Sequence, residues 1–492
     1  MLNNNIETYN EHTFKNSNVI ECKIPLSEES ISKVVSACSM AVINKSECQD
    51  GYLSYSGKAI FTVLYEEDGS LKKSECGVEF SYKTEVKNLK NGAIVCLNAK
   101  TGGEKLSFLN GIASISATLT VCGEFANKSV TEVASIEDGF LTKKYDMESL
   151  NEVCFLQKSI SVEDEFELEY CVKDILCHDE KIIVSGVEAG IGVVNVSGEV
   201  EVTAYASMLD GVDVCKIRKT IPFNAELECA DVYPNCYVTQ NFSNVQAIIK
   251  AYVDEGKNKS NFSIECIAVV NCKVFENVSY SVVSDAYSLE NELNVVKEDV
   301  VFNKFLSYSK REHKISGEII GEISKNDRLI CVSGVKIEND EYEITDGALV
   351  VSGLVNAVAV YKGDDGIKYA QLNCPYNVSL SLNGNCVSDV NVEVSCLDVR
   401  LIPSGFSYSY ALTVCYGETL KASEQVVKSI EKGAQIQKND CAISVLIAKK
   451  GETLWDVSKR LGANEDEILK YNDIEFPLCG DERIVIFRED KN

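Results

Sequence analysis

The chain repeats itself three times, and this constrains its fold more than any other feature. Laid against itself, it aligns Tyr55-Ser56-Gly57-Lys58-Ala59-Ile60-Phe61-Thr62-Val63-Leu64-Tyr65 with Val196-Ser197-Gly198-Glu199-Val200-Glu201-Val202-Thr203-Ala204-Tyr205. Val351-Ser352-Gly353-Leu354-Val355-Asn356-Ala357-Val358-Ala359-Val360-Tyr361 is the third copy. Turn residues follow each: Asp68-Gly69, Asp210-Gly211 and Asp364-Asp365-Gly366. About ten to twelve residues after each turn glycine stands an aromatic, Phe80, Phe223 or Tyr376. A β-branched strand, a turn that admits positive φ and a returning strand describe a hairpin. In the middle copy Val200, Val202 and Ala204 alternate with Glu199, Glu201 and Thr203, which predicts one buried and one wet face. A further strand precedes each hairpin, as in Ile182-Ile183-Val184-Ser185-Gly186.

A second shared segment follows each hairpin: Ile115–Cys122, Ile267–Cys272 and Tyr410–Cys415. The recurring cysteine has no recurring partner ligand beside it, so it reads as a small core residue. The copies lie roughly 140 to 155 residues apart, a domain-sized period rather than a solenoid one. The expected fold is mainly β: three tandem β-sandwich-like domains at 1–146, 147–299 and 300–433. A polar linker at 434–443 leads to a small α+β unit at 444–488.

That last unit reads strand, helix, helix, strand. Ser444-Val445-Leu446-Ile447-Ala448 is a short apolar run and Lys449–Glu452 a polar turn. Thr453 with Asp456 forms a helix start. Leu454, Val457, Ser458 and Leu461 share one helical face, and Gly462 ends the helix. Asn464 with Glu467 repeats the capping pattern, and Ile468, Leu469 and Asn472 share the second helix's inner side. Arg483–Phe487 closes the unit. At roughly 45 residues it lies near the lower limit for a self-sufficient core.

The Gly451-Glu452-Thr453-Leu454-Trp455 turn, the Ser458-Lys459-Arg460-Leu461-Gly462 helix end and the Ile468–Asn472 segment occur in register, and together they resemble a LysM domain. The resemblance implies a shallow groove for N-acetylglucosamine chains between two loops. Here these are Gly451, Glu452, Thr453 and Leu454, and Asn472, Asp473, Ile474, Glu475 and Phe476. Glu452 departs from the usual Asp, and Phe487 from the usual proline. Acids at 473, 475, 481 and 482 crowd the second loop, a poor match to an anionic wall polymer, which makes a protein ligand the alternative. Trp455 reads as a packing residue ahead of a sugar-stacking platform.

Tandem β units ahead of a LysM-like unit, with the Ser-Gly…Tyr…Asp-Gly pattern and Asp285-Ala286-Tyr287-Ser288, resemble the SPOCS-domain proteins of endospore-forming clostridia. That resemblance implies a cytosolic mother-cell protein at the forespore surface. Its LysM domain would dock on a SpoIVA-like coat morphogenetic ATPase.

Composition narrows the remaining classes. At 492 residues with net charge −27, the chain lacks the basic footprint of a nucleic-acid binder or of a protein drawn to anionic membranes. Met1–Asn10 shows no apolar signal core, and no run approaches the roughly 18 apolar residues of a membrane span. Twenty-one cysteines, an odd number with no Cys-x-x-Cys, point to free, mostly buried thiols in a reducing cytosol. His12, His178 and His313 are scattered without metal or triad spacing, and Cys177-His178 point to opposite strand faces. Glu163-Asp164-Glu165 and the basic Lys310-Arg311 with Lys314 read as solvated surface. No hydrolase or phosphate-loop motif stands out, so neither catalysis nor a cofactor or metal is expected. The leading expectation is a non-enzymatic scaffold. The rivals are a peptidoglycan- or N-acetylglucosamine-binding wall or cortex protein and a phage-tail-like structural component.

Overall fold

The structure, a computed structural model, describes residues 5–26, 31–91, 93, 95–133, 139–209, 213–254, 259–437 and 443–487. It is mainly β. Six strands form each of three units, always as two three-stranded antiparallel sheets. The first unit holds β1 (Asn5–Pro25), β2 (Ile31–Gln49), β3 (Tyr52–Glu67), β4 (Ser70–Glu85), β5 (Cys96–Leu109) and β6 (Ile112–Glu132). The second holds β7 (Phe140–Leu168), β8 (Val172–Ala189), β9 (Val193–Met208), β10 (Val214–Glu228), β11 (Tyr237–Asp254) and β12 (Lys259–Ser288). The third holds β13 (Asn291–Ile320), β14 (Arg328–Thr345), β15 (Ala348–Gly363), β16 (Gly366–Ser381), β17 (Cys386–Ile402) and β18 (Gly405–Gln435). In each unit the first, sixth and fifth strands make one sheet, with the sixth in the centre. The second, third and fourth make the other, with the third in the centre. Residues 140–146 pair with 281–288 and so belong with the second unit, and 291–299 pair with 425–435 of the third.

The repeated segments occupy equivalent places. Each hairpin copy is the central strand and fourth strand of its inner sheet, and each Cys-ended segment lies in the central strand of its outer sheet. Cys272 and Cys415 are buried and Cys122 half-buried. The glycine and the aromatic of the repeat turn out to be cross-strand partners: Gly57 opposite Phe80, Gly198 opposite Phe223, Gly353 opposite Tyr376. The ring lies over the glycine. A Cβ would come within 2.7 Å of the Phe80 ring at Gly57 and 2.9 Å of the Phe223 ring at Gly198. An aromatic covering a strand glycine fills the gap left by its missing side chain, so the pair is one packing device used three times.

Turn chemistry agrees in part. Asp68-Gly69 is a two-residue turn with both φ positive, as are Asn110-Gly111 between β5 and β6 and Asp346-Gly347 between β14 and β15. In the third hairpin the turn residues are Asp364 and Asp365, and Gly366, at φ 107°, already pairs with Gly363. The Asp210-Gly211 turn and linker residues 438–442 lie outside the described residues.

Each unit has its own apolar core between its sheets, built for example from Phe61, Leu119 and Ile115, from Val200, Val202 and Phe262, and from Tyr410, Leu412 and Val351. The wet face expected of the middle hairpin is met only in part: Glu199 is exposed, but its neighbours on that face are not. Glu201 is only 8% exposed and pairs with Arg218, and Thr203 is half-buried. The cause is a further core. Val35, Leu64 and Leu71 of the first unit, Leu176, Cys177 and Tyr205 of the second, and Cys331, Val360 and Ile367 of the third form one cluster. The second faces of the three inner sheets therefore cover one another.

Polar contacts repeat the arrangement. The fifth strand of every unit is bulged at a positive-φ residue: Gly103, Asn244 or Asp389. Gly103 N donates to Glu338 of the third unit at 3.0 Å. Asn244 brackets the Ile43 peptide of the first, accepting from its N–H at 3.0 Å and donating to its carbonyl at 2.8 Å. Asp389 binds Lys273 of the second, which also reaches Glu124 of the first at 2.8 Å. Lys273 thus touches all three units. At another contact Lys336 of the third unit pairs with Glu104 of the first, whose carboxylate also accepts from the Ser39 hydroxyl at 2.7 Å. Burial opposes that charge, but Lys336 and the hydrogen bonds from Lys336 and Ser39 outweigh it and hold Glu104 below its ordinary 4.5.

Two consequences can be measured by thermal unfolding. Gly198→Ala drives a methyl against the Ile183 carbonyl, 2.4 Å away, and into the Phe223 ring, and costs about 1–3 kcal/mol. Lys336→Met strands a buried carboxylate and costs about 3 kcal/mol at neutral pH. Because the folded-state pKa of Glu104 is lowered, its stabilisation is complete above about 4.5 and is lost as pH falls through the folded value. The stability gap between the parent chain and Glu104→Gln therefore narrows below that pH.

Candidate functional site

The C-terminal unit follows as β19 (Ile443–Ile447), α1 (Leu454–Leu461), α2 (Glu465–Tyr471) and β20 (Arg483–Phe487), with β19 and β20 antiparallel. Its start signals work as read for α1. The Thr453 hydroxyl accepts from Asp456 N at 3.3 Å, and the Asp456 carboxylate accepts from Thr453 N at 2.9 Å and from the Thr453 hydroxyl at 2.7 Å. Those bonds hold Asp456 below the ordinary Asp value. Gly462 closes the helix at φ 58°. In α2 the pattern is weaker: Asn464 caps through its backbone alone, and Leu469 faces outward at 47% exposure, not inward. Ala448, Val457, Ala463, Ile468, Leu478, Ile484 and Ile486 form the small core.

The first sequence-predicted loop is bonded to Leu478, two residues beyond the second. Gly451 N donates to the Leu478 carbonyl at 2.8 Å, and Leu478 N to the Glu452 carbonyl at 2.9 Å. Yet most groove groups already have work. The Glu452 carboxylate accepts from Lys449 N at 2.8 Å and from Arg460 at 2.9 Å. Thr453 is held in its capping box. Asn472 donates to the Ile468 and Val485 carbonyls, both at 2.7 Å, and accepts from Val485 N at 2.8 Å, clasping α2 to the closing strand. Leu454, Ile474 and Phe476 pack against the small core. Gly451, Asp473 and Glu475 are exposed. The pair of acids stands outward beside a floor that is part of the core, and the Gly451, Glu452 and Thr453 amides, with the Asn472 side chain, are bonded within the unit.

Two features escaped the sequence reading. One is the outer face of the β19–β20 pair. Ile443, Val445 and Ile447 are 54%, 58% and 65% exposed, and Phe487, opposite Ile443, is exposed too and meets the Tyr471 ring at 4.9 Å. The signal was a run apolar on both faces where only one could enter so small a core. The other is where Trp455 goes. Its Nε1 donates to Asp285 Oδ2 at 2.9 Å, and its ring meets Tyr287 edge-on at 4.9 Å. It is a packing residue, but its partners lie on β12.

Elsewhere, the adjacent Cys177 and His178 separate as expected: Cys177 enters the three-unit cluster, while His178 pairs with Glu180 at 2.9 Å. Glu163 and Glu165 are exposed, and Asp164 pairs with Lys219 at 2.9 Å. Lys310 is exposed but reaches the Val184 carbonyl of the second unit at 2.9 Å. Among the described residues no cluster of three or more metal-ligating side chains forms.

Asn472→Ala removes all three bonds of the clasp and leaves backbone groups of β20 unpaired, which costs about 1–3 kcal/mol. The loss appears as earlier hydrogen exchange of the C-terminal unit than of the β units.

A search of protein-family models, of curated proteins and of solved structures finds no match to this chain.

Proposed function

We propose that the chain is a non-enzymatic scaffold of the SPOCS–LysM type, similar to the spore-coat morphogenetic protein SipL. Three β units form the body, and the LysM-like C-terminal unit is the head that binds a protein partner. The partner this reading names is a SpoIVA-like coat morphogenetic ATPase, met in the mother-cell cytosol at the forespore surface. One observation carries the choice of a protein over a glycan: the head's groove groups are bonded internally, while its β19–β20 face presents Ile443, Val445, Ile447 and Phe487 to solvent. Contiguous exposed apolar side chains on a small soluble unit suit a protein interface. Sugar recognition instead needs polar groups aimed at hydroxyls over an apolar floor.

Leu454→Ala and Ile474→Ala are poor probes of binding, because both side chains help fill the small core. Val445→Asp with Ile447→Asp is the better test in the full-length chain. Both residues point outward, so the head stays folded. Capture of the ATPase falls by at least about tenfold, equivalent to about 1.4 kcal/mol. Retention of the doubly substituted chain on the ATPase at full strength, or retention of the parent on peptidoglycan alone, overturns the reading.

A further inference from the structure

We propose that Asp285-Ala286-Tyr287, at the end of β12, is an internal docking motif that seats the C-terminal unit on the second β unit in one orientation. The two anchors bind different parts of the head. The Asp285 side chain, 15% exposed, accepts from the Trp455 indole at 2.9 Å and from Lys459 through both carboxylate oxygens at 2.8 Å. Lys297 of β13 adds its charge at 3.4 Å. Tyr287 is buried, donates its hydroxyl to the Ala463 carbonyl at 2.8 Å just past the end of α1, and caps the Trp455 ring. Trp455 is 9% exposed although the small core of its own unit is built from other residues. Its burial therefore comes from the second β unit. Lys143, across the strand pair from Asp285, Asp456 on α1, and Glu465 and Glu467 near Tyr287 add to the charged surroundings.

The path of the chain favours the seat. β18 ends with Gln435 beside Asn291, and Ile436 N donates to the Glu290 carbonyl at 2.8 Å. The connection to the head thus starts a few residues from Tyr287, so a short tether holds the head at high effective concentration over its site. Paired charge-assisted bonds plus an edge-on aromatic contact give that site direction as well as affinity. Seated this way, the Trp455 side of α1 is covered, while Asp456, Lys459 and Arg460 stay exposed. The seat concerns the head's orientation and holds whatever the head binds.

Trp455 is the chain's single tryptophan, so its fluorescence reports the seat directly. In the full-length protein, Asp285→Ala shifts Trp455 emission to the red and raises acrylamide quenching roughly twofold or more, the mark of a locally opened contact. Lys459→Ala, on the helix surface, produces a smaller change in the same direction and guards against misfolding of the first variant. Asp285→Asn retains an acceptor for the indole and falls between parent and alanine. Unchanged emission and quenching in both Asp285→Ala and Lys459→Ala, with circular dichroism of the parent type, overturns the proposal. A head that fails to capture the ATPase while Trp455 stays shielded bears on the binding face and leaves the seat intact.

Discussion

Three-stranded sheets have two faces and two edges, and this molecule depends on how the second face of each inner sheet is covered. Within a unit, one face packs on the outer sheet. The other would be wet in an isolated sandwich. Here it meets its two counterparts in the cluster of Leu64, Leu71, Leu176, Tyr205, Cys331 and Val360. Burying apolar surface there is worth about 25 cal/mol per Å², and the cluster is complete only when all three units contribute. The polar contacts follow from that geometry. Once the inner sheets meet, the bulged fifth strands lie against neighbouring units, and Gly103, Asn244 and Asp389 acquire partners across the boundaries.

This makes the body a single assembly rather than beads on a string. Lys273 between Glu124 and Asp389, and Lys336 against Glu104, sit in semi-buried seams where an unpaired charge is costly. A body of that kind fits the proposed scaffold, because the proposed seat would give the C-terminal unit a defined direction. The head is small, and its core can accommodate only one face of its sheet and helices. That limit explains both the inward turn of Leu454, Ile474 and Phe476 and the outward display of Val445 and Ile447.

Much of this was legible in the residues. The Ser-Gly signature and its distant aromatic marked the hairpins, and the cross-strand register of Gly198 with Phe223 supplies the physical reason for their spacing. Thr453 with Asp456 and Gly462 marked α1, because capping depends on residues three apart and on a local φ. The residues named for the candidate groove could be listed from the sequence, but not the bonds that already occupy several of them. Glu452 and Asn472 look available on paper, and only the fold turns them to Arg460 and to Val485.

Local order along the chain settled where strands, turns and helices lie, since alternation, caps and turn glycines act over a few residues. Which faces are dry was decided by contacts between residues far apart in sequence. Glu201 reads as solvated from its neighbours, yet it is buried and pairs with Arg218, whose guanidinium also reaches Cys396 of the third unit at 3.0 Å. Trp455 reads as a packing residue, but the sequence does not say on what: it rests on Asp285 and Tyr287, 170 residues away in the case of Asp285. Burial is a property of what arrives from elsewhere in the chain, so the sequence alone determined the elements, and the tertiary structure decided their second faces.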